Sequence, residues 1–144
     1  TCSLRQPQIA LQLLEKIPLF PNTRPELLLR AQALLATGRA GDISSALQTR
    51  VATHPRDATA WQLLAQMWQQ QKQPLPALRA EAEAHVARYD YPAAIDRFKA
   101  GQALARTLQQ NRNDSASGYD HVEASIIDTR LRAVEALLKE QTDN

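Results

Sequence analysis

Apolar positions recur every three or four residues along most of the chain, and prolines and glycines interrupt them at short intervals. That spacing predicts a series of short amphipathic helices. In residues 7–17, Ile9, Leu13, Leu14 and Ile17 share one face of a helix opened by Pro7 and stopped by Pro18 and Pro21. The next helix is predicted from Pro25-Glu26 to Gly38, with Thr23 as a candidate cap. It is apolar almost all round and should be buried on more than one face. After Gly41, Asp42 is a candidate cap for a helix over ISSALQTRVATH, whose face is Ile43, Ala46, Leu47 and Val51 and whose end is set by Pro55.

The pattern then repeats. A helix is expected from Ala58 to about Gln71, carrying Trp61, Leu64, Ala65 and Trp68, a large-small-large set at helical spacing. Pro74-Leu75-Pro76 reads as a turn into a helix from Ala77 to about Arg88, and another helix follows Tyr91-Pro92 with Ala94 and Phe98 inside it. Ala46 and Ala77 hold corresponding places 31 residues apart, but Ala94 follows Ala77 by only 17. An economical reading is that ALRAEAEAHVAR serves twice, as the second helix of one hairpin and the first of the next. Residues 111–118, NRNDSASG, read as a flexible loop. The last helix is predicted from near Asp120 to about Glu140, opened by an Asp120/Glu123 pair resembling a capping box, with an apolar face of Ile127, Leu131, Val134 and Leu138. On its other side Asp128 precedes Arg132, and Glu135 precedes Lys139, each by four residues. A charged outer face suits a helix that closes a stack.

Composition supports helix over sheet, because Ala, Leu and Gln dominate while β-branched and aromatic residues are scarce. Its 144 residues suffice for one domain with a core. The net charge of +2 provides no large single-sign field, which disfavours nucleic acid and an anionic membrane surface as partners. No run approaches the ~18 apolar residues of a membrane span, and no signal-type segment is present. The single cysteine, Cys2, leaves the compartment unread. The start at Thr1 suggests an excised piece of a longer protein.

Trp61, Leu64, Ala65, Trp68 and Ala77, with Pro55 closing the unit before them, resemble the tetratricopeptide repeat, and Ala94, Phe98 and Gly101 continue the likeness. Glu81 departs from it where an aromatic is usual, and the helix at Leu27 to Thr37 lacks the tryptophan. The resemblance implies an all-α, right-handed tetratricopeptide-like solenoid of helical hairpins. It would have about six or seven helices over 1–110, a loop over 111–118 and a C-terminal capping helix over 119–144, all in one domain. More narrowly, RAEAEAHVARYDYPAAIDRFKAGQALAR and the later YDHVEASIIDTRLRAVEAL resemble the C-terminal repeat region of BepA-like bacterial periplasmic zinc metallopeptidases. That likeness implies a non-catalytic protein-protein interaction module in the periplasm, engaged in outer-membrane protein assembly or quality control. Its partners would be a peptide, its own peptidase domain or outer-membrane assembly components.

The zinc of such a peptidase would not be held here. The chain lacks HExxH, and His54, His85 and His121 are not spaced as a helical ligand pair, so neither a cofactor nor catalysis is expected of it. By the repeat's register, Thr59, Gln62, Gln66 and Gln69 should face a binding groove, with Arg79 and Glu83 as neighbours on the following helix. Glutamine both donates and accepts, which suits an extended peptide backbone, although a solvated helix face explains the same row. Trp61 and Trp68 are expected in the core. His85 is expected to be packed or partly exposed on its alanine-rich helix. The competing expectation is a free-standing structural or oligomerisation adaptor, a homo-oligomer whose groove is filled by a second copy or by its own last helix.

Overall fold

The computed structural model describes residues 24–111 and 118–143, and within them proline and aspartate at helix starts, and a recurring left-handed residue at helix ends, mark out six α-helices. They are α1 (Arg24–Ala36), α2 (Ser44–Thr53), α3 (Ala58–Gln70), α4 (Pro74–Ala87), α5 (Tyr91–Asn111) and α6 (Gly118–Asp143), with a 3-10 turn at Ala40–Ile43 before α2. Among the described residues there is no strand. The helix expected over 7–17, the Thr23 cap and most of the expected loop at 111–118 lie outside the described residues.

Three helices end the same way. At the end of α1, Gly38 takes φ +76° while its N–H donates to the Leu35 carbonyl and the Arg39 N–H to the Leu34 carbonyl. This is a Schellman closure, and glycine adopts its left-handed residue without a Cβ penalty. Lys72 (φ 59°) after α3 and Tyr89 (φ 63°) after α4 make the same turn with side chains present. The next helix begins almost at once, so successive helices fold back on one another.

Several expected starts move. Pro74-Leu75-Pro76 forms the first turn of α4, where the missing proline N–H groups would have had no intrahelical acceptor. Asp42 does not cap α2: it lies in the 3-10 turn, where its carboxylate accepts from Arg39 Nε at 2.9 Å. Asp120 and Glu123 both fall inside α6, and Glu123 is drawn to Arg79 instead of to a helix end. Asp128 accepts from Gln102 Nε2 on α5 at 2.7 Å, while Arg132 Nε reaches the Asp128 carbonyl at 3.4 Å. α1 buries Leu27, Ala31, Ala33, Leu34 and Leu35, while Leu29 is 55% exposed.

The core is divided by α4. Leu27, Ala31 and Leu34 of α1, Leu47 and Val51 of α2, and Trp61, Leu64 and Met67 of α3 form one apolar cluster, which Ala80 and Ala84 of α4 join. Leu75 and Ala82, on the opposite side of α4, join a second cluster of Ala94, Ile95 and Phe98 from α5 with Ile127, Leu131 and Val134 from α6. The alanines let neighbouring helices approach α4 from both sides, and Gly101 does the same for α5, where an added Cβ would stand 3.0 Å from Ile127 Cδ1. Helices therefore pack on their chain neighbours and also two along, α1 on α3 and α4 on α6. Ala77 and Ala94 are both buried. Ala77→Leu or Ala94→Leu should each overpack its crossing and cost about 1–3 kcal/mol, read as a lower urea midpoint. An unchanged midpoint in both would contradict this packing.

Candidate functional site

Trp61 and Leu64 lie at the bottom of an open cleft because the helices on either side of them do not meet. Among the described residues, α2 packs against neither α4 nor α6. The gap, about 420 Å3, has Gln48 and Val51 of α2 on one side and Arg79, Glu83 and Arg130 on the other. A mostly apolar lining with a few placed polar groups is the general form of a binding site.

The charged wall is fixed by two ion pairs of opposite polarity. Arg79 of α4 donates through Nε and an Nη to the two carboxylate oxygens of Glu123 on α6, at 2.8 and 3.1 Å. Arg130 of α6 donates through Nε and Nη2 to Glu83 Oε1 on α4, both at 3.0 Å. Glu123 is buried, and Arg79 supplies the opposite charge beside it. The two-pronged geometry also fixes where α6 lies along α4.

The six residues selected by repeat register are not brought together. Arg79 and Glu83 form this wall, but their charged ends are engaged by α6. Gln62, Gln66 and Gln69 are exposed along α3 outside the cleft, and Gln69 Nε2 donates to Glu81 Oε1 at 2.7 Å. Thr59 lies elsewhere again, at the rim of a cleft near the start of α3. Trp61 is buried, with Nε1 donating to the Pro55 carbonyl at 2.9 Å. Trp68 is half-buried, and its Nε1 has no acceptor among the described residues. His85 is partly exposed, 3.8 Å from Asp90.

The sequence matches no family model and no curated protein.

Among the described residues, no three His, Cys, Asp or Glu side chains come together as a metal site would require, and no helix is long and apolar enough to cross a membrane. Sequence reasoning missed Asp57, which joins three elements. Its Oδ2 accepts from Arg24 Nε of α1 and Arg50 Nε of α2, both at 3.0 Å, and its Oδ1 accepts from Arg24 Nη2 and from the Ala60 N–H, both at 3.2 Å. Burial pushes the Asp57 carboxyl up, but the hydrogen bonds from Arg24, Arg50 and Ala60 outweigh it and hold the pKa below the ordinary value. An aspartate directly before a helical run, after Pro55, was the available signal for the cap. Nothing local announced the two arginines.

Proposed function

We propose that this chain is a non-catalytic protein-binding module built as a right-handed tetratricopeptide-like stack. In this reading it is the C-terminal repeat region of a periplasmic zinc metallopeptidase, serving outer-membrane protein assembly or quality control. The peptidase chemistry and its zinc belong to a separate domain, and the module holds a protein partner or that domain itself. The observation that carries the binding role is the open cleft floored by Trp61 and Leu64 and walled by Gln48, Arg79, Glu83 and Arg130. The packing of α1 on α3 and of α4 on α6 supports the repeat architecture: α4 acts as a second helix toward α3 and as a first helix toward α5. The competing reading, a self-associating adaptor, draws support from the exposed apolar residues Pro25, Leu29 and Ala36, which share one face of α1.

Site-specific photo-crosslinking in the parent cells tests the two. A photoreactive residue at Gln48, at the cleft, or at Gln62 or Gln66 on the glutamine row is expected to give an adduct with a different polypeptide. The same residue at exposed Lys99 on α5 should give none. Adducts only of the chain with itself, with a solution mass that rises with concentration, would transfer the assignment to the adaptor. Zinc binding or caseinolytic activity in the isolated chain would overturn the non-catalytic reading, and an HExxH motif encoded upstream of Thr1 would establish the peptidase link.

A further inference from the structure

Four arginines from four different parts of the fold converge on one cleft beside the start of α3. Arg24 comes from α1, Arg50 from α2, Arg56 from the α2–α3 turn and Arg88 from the end of α4, around a space of about 700 Å3. Asp57 is the one acid in the lining, and it is committed to Arg24 and Arg50. The lining therefore carries an excess of positive charge, whereas the whole chain has a net charge of only +2. Arg56 is positioned by Tyr89: its guanidinium lies 4.9 Å from the ring centroid, and its Nη1 donates to the Tyr89 hydroxyl. Arg88 has no ion-pair partner among the described residues. Pro55 and Ala58 supply apolar surface between the charges.

We infer that this cleft binds an acidic polypeptide segment, with carboxylates on Arg56 and Arg88 and short apolar side chains against Pro55 and Ala58. The inference deepens the protein-binding reading and rests on it, but it uses a second cleft, which meets the one over Trp61 at Pro55. Guanidinium forks match carboxylates in two-point geometry, and concentrated cations raise both encounter rate and selectivity for an acidic partner. Nucleic acid fits less well. Among the described residues no Phe, Tyr or Trp lines the cleft, so it has no aromatic platform on which successive bases could stack. The cationic surface is also one compact cleft, where a phosphate backbone is held by an extended basic track.

Fluorescence anisotropy of the whole chain with a labelled peptide of alternating glutamate and leucine tests this. Binding that weakens as salt is raised is expected. Arg56→Glu/Arg88→Glu should weaken it by about tenfold or more, and Arg88→Glu alone, which breaks no ion pair among the described residues, by about threefold. Arg106→Glu/Arg132→Glu, on exposed positions of α5 and α6, should change it little. Equal losses in both pairs of variants, or equal binding of a lysine-leucine peptide, would overturn the proposal. Tighter binding of a single-stranded RNA would overturn it in favour of a phosphate site. If the peptide fails to bind while Gln48 still crosslinks a partner, this inference falls and the protein-binding reading stands; if both fail, both fall.

Discussion

Phe98→Ala should be among the most damaging single changes in the chain, costing about 3–5 kcal/mol. Phe98 is fully buried on α5, in the cluster that also holds Ala94, Ile127, Leu131 and Val134. Its ring joins α5 to α6, and α4 reaches the same cluster through Leu75 and Ala82, with Val86 packed against it. Alanine at position 98 would remove the largest side chain there, and the short residues around it cannot extend to fill the space. Since a domain of this size has about 5–15 kcal/mol in total, the variant should lose a large part of its stability. Urea unfolding should show a lower midpoint at similar slope, and Phe98→Leu, which keeps most of the volume, should lose less than about 1.5 kcal/mol. A loss below about 1 kcal/mol for the alanine variant would mean that the ring is not packed between α5 and α6.

The helices were legible because burial of one stripe repeats every three to four residues. That rule selects Ile127, Leu131, Val134 and Leu138; the first three are buried and Leu138 is half-buried. The helix starts were less legible, because proline has two opposite local meanings. Pro74 and Pro76 read as a turn, yet a helix tolerates both in its first turn, and α4 begins there. Glutamate three residues after aspartate reads as a capping box until a distant arginine competes for the carboxylate, as Arg79 does for Glu123.

Of the candidate site, the residue types were readable but their grouping was not. The partners of Arg79 and Glu83 lie 44 and 47 residues away, a separation that leaves no periodic trace. The cleft over Trp61 and Leu64 exists because α2 stays clear of α4 and α6, and a hydrophobic pattern encodes which faces are buried, not which helices fail to meet. The arginine cleft was hidden for a related reason. Its charges are scattered over α1, α2, the following turn and the end of α4, so the even overall balance concealed a local excess.

Asp57→Ala should cost about 2–4 kcal/mol, through two losses at one atom group. The Ala60 N–H at the start of α3 would lose its acceptor, worth about 1 kcal/mol. Arg24 and Arg50 would lose the carboxylate between them, a break that costs about 3–5 kcal/mol in a fully buried pair. The second figure must be discounted here, because the Asp57 side chain is 3% exposed but that of Arg24 is 48% exposed and can return to water. Asp57→Asn keeps an oxygen for the cap and removes the charge, so it should lie between the wild type and the alanine variant. The difference between wild type and Asp57→Asn should also depend on pH with a definite sign. The folded carboxyl titrates below its ordinary 3.8, so the unfolded chain binds the proton more readily. The charge-dependent stability is therefore complete well above 3.8 and is lost as pH falls through that value toward the lower folded pKa. Urea midpoints of the two proteins, measured from neutral pH to about pH 3, should converge as the acid end is approached. Midpoints that stay equally far apart over that whole range would show that the carboxylate charge contributes nothing and that only the shape and hydrogen bonding of Asp57 matter.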